Sequence, residues 1–285
     1  MINRRLFSAS VLGLLSGAGL LAQAPKLDLP AASPAATLTQ RVGLTNISIT
    51  YSRPSLRGRK MLGVQNPYGE VWRTGANAST KISFSTPVML NGAAVPAGTY
   101  ALYTIPDPSV WTVIIDKDTS LWGAYNYKAQ DDLVRFQATA VALTDPVETF
   151  TIEYSDLRDE SATLNLIWEK TRVPIKIEVS VVEPVKAQIA AAMAGTGKKP
   201  YAPAAQFYLE HNLDLPQALA WANAAVAEKT GYSVLYLKAR ILAKMGDKDG
   251  ALAAAHQSLE LAAKAEGPVR GEYTRLNQDL IATLR

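Results

Sequence analysis

Residues 175–184 read Ile175-Lys176-Ile177-Glu178-Val179-Ser180-Val181-Val182-Glu183-Pro184, and the fold turns on them. Up to Val181 the apolar residues fall at every second position. That is the period of a strand with one face in a core and the other in water. After Glu183-Pro184 the apolar period becomes helical. The chain therefore divides here into two parts built on different repeats.

Upstream, the period of two persists back to Thr37. Ile47, Ile49 and Tyr51 alternate with Ser48 and Thr50, and Ile82 and Phe84 with serines. Trp111, Val113 and Ile115 keep the rule, as do Phe150, Ile152 and Tyr154, then Ala162, Leu164, Leu166 and Trp168. Asn91-Gly92 lies between two short apolar runs and marks a hairpin, because both residues tolerate positive φ. Pro96-Ala97-Gly98 turns the chain into Thr99–Ile105. Eight or nine short strands without a helical stretch between them predict an antiparallel β-sandwich or jelly roll over residues 37–182.

Downstream, residues 183–285 predict an α-helical region. Alanine numbers 24 among residues 187–285 against 12 among residues 37–181. An internal repeat has an offset of 33: Asp214 matches Asp247, Ala218-Leu219 matches Ala251-Leu252, Leu209 matches Leu242, and Ala225 matches Ser258. Met245-Gly246-Asp247, with Ala251-Leu252 and Ser258-Leu259-Glu260-Leu261 after it, resembles a tetratricopeptide repeat. In such repeats small residues let paired helices approach and a glycine ends the first helix. Helices are expected near 201–211, 215–229, 233–245, 248–265 and 268–283, with Pro200, Pro216 and Pro268 near their starts. Two repeats are fewer than the three needed for independent stability, so the helices are expected to pack on the β-domain.

The N-terminus reads as an address. Arg4 and Arg5 precede an uncharged stretch, Leu6 to Leu21, and Ala22-Gln23-Ala24 supplies small residues for a signal peptidase. Residues 1–24 are expected to be a cleavable signal, and the Pro/Ala-rich residues 25–36 a linker. The apolar run of about 16 residues falls short of the ~20 that span a bilayer. Asn3-Arg4-Arg5-Leu6-Phe7 partly fits a twin-arginine signal, so the export route stays open. The expectation is a periplasmic or secreted protein with no transmembrane anchor after cleavage.

Composition removes several chemistries. The chain of 285 residues has no cysteine, which excludes disulfides, thiolate metal sites and cysteine nucleophiles. Both histidines, His211 and His256, fall in the helical half, so the β-domain has no Ser-His-Asp triad and no histidine-ligated metal. Asp116-Lys117-Asp118 superficially suits a phosphatase, but that chemistry needs a parallel α/β sheet. As a calcium loop, the same stretch would place Tyr127 where a bidentate Glu is required. There is no glycine-rich phosphate loop, and nothing calls for a cofactor. Net charge is +4, and +2 once Arg4 and Arg5 leave with the signal, too little for a nucleic-acid binder.

Charge is nevertheless polarised along the β-domain. Arg53, Arg57, Arg59 and Lys60 crowd one segment, and no acid occurs between Asp28 and Glu70. Residues 116–160 hold ten acids and four bases. Arginine forks match carboxylate or phosphate oxygens, so the basic segment suggests an anionic ligand. The competing reading is an internal ion-pair network or a solvated face. Two aromatic segments stand out as well: Tyr68-Gly69-Glu70-Val71-Trp72-Arg73-Thr74-Gly75-Ala76-Asn77, and Leu121-Trp122-Gly123-Ala124-Tyr125-Asn126-Tyr127. Their Trp and Tyr rings offer apolar faces with polar edges, suited to stacking sugars; the plainer reading is an aromatic lid on the sandwich.

These phrases carry a family resemblance. Gln40-Arg41-Val42-Gly43-Leu44-Thr45, Tyr51-Ser52-Arg53-Pro54 with Gly58-Arg59, Pro67-Tyr68-Gly69, Trp72 to Asn77, Pro96 to Tyr100, Thr104-Ile105-Pro106 and Trp122 to Tyr127 occur in one order. Over about residues 32–180 the chain resembles the bacterial domain of unknown function 2911. The resemblance implies an exported β-rich domain, sometimes followed by tetratricopeptide-like helices, and assigns no activity or catalytic residue.

The sequence thus leads to a non-catalytic binding module for an anionic or carbohydrate envelope ligand. Arg53, Arg57, Arg59, Tyr68, Trp72, Arg73, Asn77, Trp122, Tyr125 and Tyr127 are its candidate site. The alternatives are an envelope hydrolase using a carboxylate from 107–132, and a scaffold whose helical region holds a protein partner.

Overall fold

A computed structural model describes Leu27 and residues 29–284; the expected signal, residues 1–24, lies outside the described residues. The β part contains β1 (Ala35–Val42), β2 (Thr45–Ser52), β3 (Thr80–Phe84), β4 (Val88–Leu90), β5 (Ala93–Val95), β6 (Gly98–Ile105), β7 (Val110–Asp116), β8 (Asp132–Thr139), β9 (Val141–Ser155) and β10 (Ser161–Val179). They form a six-stranded sheet in the order β1-β2-β3-β6-β7-β8 and a four-stranded sheet in the order β5-β4-β10-β9. Every strand pairing is antiparallel.

Alternation builds the core between the sheets. Ile47, Ile49, Tyr51, Ile82, Phe84, Leu102, Trp111, Val113 and Ile115 of the larger sheet meet Leu90, Phe150, Ile152, Leu164, Leu166, Trp168, Ile175 and Ile177 of the smaller one. Trp72 enters this core from the loop between β2 and β3. Its ring stacks on Trp168 at 5.6 Å and meets Phe150 edge-on at 5.0 Å and Trp111 at 6.1 Å. Such aromatic pairs each add about 0.5–1.5 kcal/mol beyond area burial.

Strand β6 departs from simple alternation, with Tyr100, Ala101, Leu102, Tyr103 and Thr104 all buried. A strand buried on both faces needs a cover on each. The core covers one face, and the segment 117–128 covers the other. There Ala101, Tyr103 and Ile114 form a separate apolar cluster with Val71, Ile105, Leu121, Ala124 and Tyr127.

Six helices follow: α1 (Val182–Ala194), α2 (Tyr201–Glu210), α3 (Leu215–Glu228), α4 (Tyr232–Met245), α5 (Lys248–Ala263) and α6 (Pro268–Leu284). The repeat of 33 becomes a pair of matching helix starts. Asp214 accepts a hydrogen bond from the Gln217 N–H at the start of α3, and Asp247 accepts one from Gly250 at the start of α5. Each satisfies an N–H that the helix leaves unpaired. Gly246 closes α4 at φ 86°, a conformation glycine adopts without a Cβ penalty. Ala205, Ala218, Ala222, Leu237 and Ile241 pack α2, α3 and α4 together; Ala239, Ala251, Ala255 and Ile281 join α4, α5 and α6. Val185 of α1 and Phe207 of α2 pack against the sandwich core.

The two runs read from the sequence around Leu164 and Ile177 are one strand, β10, of 19 residues. α1 and β8 were not singled out by pattern. No helix among the described residues is long and apolar enough to cross a membrane.

Candidate functional site

The site is built where segment 117–128 meets the loop between β2 and β3. Ala78 bridges Trp122 as a short antiparallel pair. The Gly123 N–H donates to the Asn77 carbonyl at 3.1 Å, and the Ser79 N–H to the Leu121 carbonyl at 3.3 Å. Thr74, Gly75 and Asn77 hold φ of 52°, 156° and 60°. For the β-branched Thr74 this is an uncommon conformation that its surroundings must enforce. They do so: the Thr80 hydroxyl donates to the Thr74 carbonyl at 2.6 Å, and the Thr74 hydroxyl lies 3.0 Å from that of Thr104.

This backbone sends Trp72 and Arg73 to opposite sides. Trp72 is a core residue, 5% exposed, with its indole N–H donating to the Gly75 carbonyl. Arg73 faces Gly123 of segment 117–128, and its Nε is buried with no hydrogen-bond partner. A Cβ at Gly123 would lie 3.1 Å from Arg73 Nη1 and 2.9 Å from the Tyr125 ring. The guanidinium and that ring therefore flank the same glycine. Beyond them the surface is aromatic, with Trp122 66% and Tyr125 81% exposed.

Beneath segment 117–128 lies a polar network. The Tyr103 hydroxyl, buried, donates to the Gly123 carbonyl at 3.3 Å, and its ring packs 5.2 Å from that of Tyr127. Burial pushes the Tyr103 hydroxyl above its ordinary pKa. Tyr127 donates to Asp132 Oδ1 at 2.7 Å and accepts from Arg135 at 2.5 Å; Arg135 also pairs with Asp132. Burial, with the adjacent Asp132, pushes Tyr127 up to about 12. Asp116 is 1% exposed at the end of β7, opposite Asp132. Its Oδ1 accepts the Asp118 N–H at 2.7 Å, while its Oδ2 has no partner. Burial foremost, and the Asp132 carboxyl next to it, raise its pKa.

The basic segment is placed otherwise. Arg53 donates to the Phe150 carbonyl at 3.1 Å and the Thr151 hydroxyl at 2.7 Å, tying the loop after β2 to β9. Arg59 donates to the carbonyls of Leu56 and Ser55. Arg57 donates from Nη2 to the Ala32 carbonyl at 3.2 Å, and its backbone N–H bonds Glu148. Among the described residues, the side chains of Arg53, Arg57, Arg59 and Lys60 form no ion pair with an acid. The expected ion-pair network is thus replaced by bonds to backbone and hydroxyl oxygens.

Residues Ala32 and Ser33 run between the two clusters. Arg57 bonds Ala32, while the Asn77 amide donates toward Ser33 at 3.5 Å and to the Ser52 hydroxyl at 3.2 Å. Arg73, Asn77, Trp122, Tyr125 and Tyr127 thus gather around segment 117–128, with Arg57 at the border. Arg53 and Arg59 hold the loop itself. Tyr68, 44% exposed, covers Gly63. Sequence reasoning missed Tyr103 and Arg135, and reached Asp116 and Asp132 only among the carboxylates of 107–132. The usable signal was the unbroken burial-prone run Tyr100 to Tyr103, which requires a cover on the second face of β6.

The acids of residues 107–132 occupy turns, a short 3-10 helix and strand ends. Asp107 accepts from Ser109 and Val110, and Asp118 accepts from Ser120; these donors hold both carboxyls below their usual pKa. Among the described residues, no group of three or more acids and histidines is placed to hold a metal ion.

The architecture is an antiparallel two-sheet domain with a surface aromatic cluster, followed by paired helices. The chain belongs to the family described as Protein of unknown function (DUF2911), whose profile matches residues 33–177, just over half of the sequence. The match covers the sheets and both clusters and stops before the helices. Comparison with curated proteins and with solved structures gave no match.

Proposed function

We propose that the sheet domain is a non-catalytic binding module for an anionic or carbohydrate ligand of the cell envelope, carried by an exported protein. The observation behind this reading is Arg73. Its guanidinium flanks Gly123 opposite the Tyr125 ring, with a buried, unpartnered Nε and, among the described residues, no acid paired to it. A partly buried cation without a counter-charge is costly unless a ligand supplies one. The exposed Trp122 and Tyr125 beside it offer the stacking faces that sugars use. The signal-like residues 1–24 support export.

The test is a thermal-shift screen of the protein against uronic acids, neutral sugars, peptidoglycan fragments, phosphates and divalent ions. A ligand of the folded state raises the melting point by mass action. Binding that is lost in both Arg73→Gln and Trp122→Ala supports the reading. A hit indifferent to both substitutions, or no hit among anions and sugars, overturns it.

A second reading concerns the helices. A concavity of about 300 Å³ lies among α2, α4 and α6, lined by Gln206, Tyr236, Leu237, Arg240 and Tyr273. Arg240 stands 5.9 Å from the Tyr236 ring centroid. This shared face supports a protein-binding role for the helical region, tested by co-purification with Arg240→Glu as control.

A further inference from the structure

The outer face of β1, β2 and β3, with Thr99 at the start of β6, lies beside segment 117–128 and is open and polar in a regular way. Register places Thr39, Ser48, Ser83 and Thr99 in one row across the four strands. The next row toward Trp122 is Thr37, Thr50, Lys81 and Ala101. On the other side Arg41 pairs with Asn46, whose backbone N–H bonds the Ser85 hydroxyl at 2.8 Å. A concavity of about 570 Å³ lies over Thr39, Arg41, Asn46, Ser48, Ser83 and Thr99.

The face has a beginning and a direction. Ser52, at one end of β2, bonds Asn77, which in turn bonds Gly123 beside the exposed Trp122. From Ser52 to Asn46 is six residues, about 20 Å of strand. Along that path the outward side chains are hydroxyls, one amide, Ala35, Ala101 beneath segment 117–128 and the exposed cations Lys81 and Arg41, with no acid. Strand geometry sets these two cations roughly 16 Å apart. The Thr39 and Ser48 hydroxyls and the Lys81 ammonium have no protein partner among the described residues.

Charge and spacing select the occupant. A nucleic acid or polyphosphate carries dense charge and needs closely packed cations to replace its counterions. Two cations separated by hydroxyl rows fit a chain with sparse negative charges and many hydroxyls. We propose that this face is a track for an extended acidic polysaccharide, a glycan bearing carboxylates at intervals, which runs from the Trp122 edge toward Arg41. The inference rests on the reading of the Arg73 edge as an anion or sugar site and extends it by naming the ligand class.

The experiment is calorimetric titration of the whole protein with glucuronate and with hyaluronan oligosaccharides of two, four and six residues, which carry a carboxylate on every second sugar. Cellohexaose and inorganic polyphosphate serve as the neutral and densely charged comparisons. Affinity should rise about tenfold from the dimer to the tetramer, the size of one charge-assisted contact. That rise should vanish in the double variant Arg41→Gln, Lys81→Gln, while the monomer still binds and Arg73→Gln abolishes monomer binding. Ser48→Val with Ser83→Val, which suits a strand, should reduce the tetramer's advantage without lowering the melting point. Monomer binding with no gain in length overturns the track and leaves the Arg73 reading standing. A length gain untouched by the double variant also overturns it, as does equal or tighter binding of cellohexaose or polyphosphate. Failure of every uronate, the monomer included, overturns both.

Discussion

Asp116 lies directly opposite Asp132 across β7 and β8, and only one of the two carboxyls has a cation. Asp132 is held by Tyr127 and Arg135, whereas Asp116 keeps one buried oxygen unpartnered. Tyr103, Asp118 and Asp131 also bear on this pair, and none offers Asp116 a positive charge. Burial raises the Asp116 pKa, so the folded chain binds its proton over a window where the unfolded chain has already released it. This group's contribution to stability therefore falls as pH rises from the ordinary carboxylate range through the raised value. Asp116→Asn removes that titration, keeps the acceptor for the Asp118 N–H and supplies a donor toward Asp132. The variant should match wild type near pH 4 and exceed it at pH 8 by about 1 kcal/mol, or roughly 3 °C in Tm. Melting curves with a constant difference between the two proteins across this range would contradict the account.

Trp72 and Trp122 stand in similar glycine-bearing phrases but carry opposite expectations. Trp122→Ala and Tyr125→Ala remove exposed rings and should change stability by no more than about 0.5 kcal/mol. Both should weaken binding of any ligand found by the thermal-shift screen. Trp72→Ala empties the centre of the aromatic core and should cost about 3–5 kcal/mol. Denaturant unfolding separates the two cases, and a large stability loss in Trp122→Ala would sink the distinction.

Gly43 joins β1 to β2 at φ 52°, and a Cβ there would lie 2.5 Å from the Asp159 carbonyl oxygen and from a Val181 methyl. The chain cannot yield easily, because one of these atoms is backbone and Val181 is buried. Gly43→Ala should cost about 2–4 kcal/mol, combining a left-handed conformation with overpacking. Urea midpoints measure it; a variant within 0.5 kcal/mol of wild type, about the scatter of neutral surface changes, would refute the close approach.

Asp214 and Asp247 cap α3 and α5 in the same way, one repeat apart. Each change to Ala should cost about 1 kcal/mol, and Asn at either position should recover most of it. Helical circular dichroism during unfolding reports both. Unequal losses would show that the repeat in sequence is not a repeat in energy.

How far the sequence carried depends on the range of the contacts. Helix ends were legible because a cap and its partner lie three residues apart, as in Asp214 with Gln217. Strand faces were legible because alternation is local, as in β2 and β7. The length of β10 was not, because its middle, Glu169-Lys170-Thr171-Arg172, breaks alternation at bulges where Glu169 takes φ 51°. The separation of Trp72 from Trp122 was not legible either. It is decided by positive-φ residues that reverse the chain and by bonds between 77–79 and 121–123, more than forty residues apart in sequence. The arginines of 53–59 were visible as charges, but their acceptors are backbone and hydroxyl oxygens of distant or looping segments, which pattern does not encode.

The chain enters the sandwich through a gap with sensitive walls. Pro34 accepts from the Arg53 N–H, Ala32 from Arg57, and Ser33 from Asn77. Anything attached upstream of residue 32 therefore emerges beside Arg57, Asn77 and the aromatic edge. An affinity tag or fusion joined at that end would crowd the surface whose ligand is sought. The same geometry makes the entry segment a reporter: a fluorophore on a cysteine introduced at Ala31, in a chain with no cysteine of its own, would sense a ligand arriving at Trp122 without touching a residue of the site.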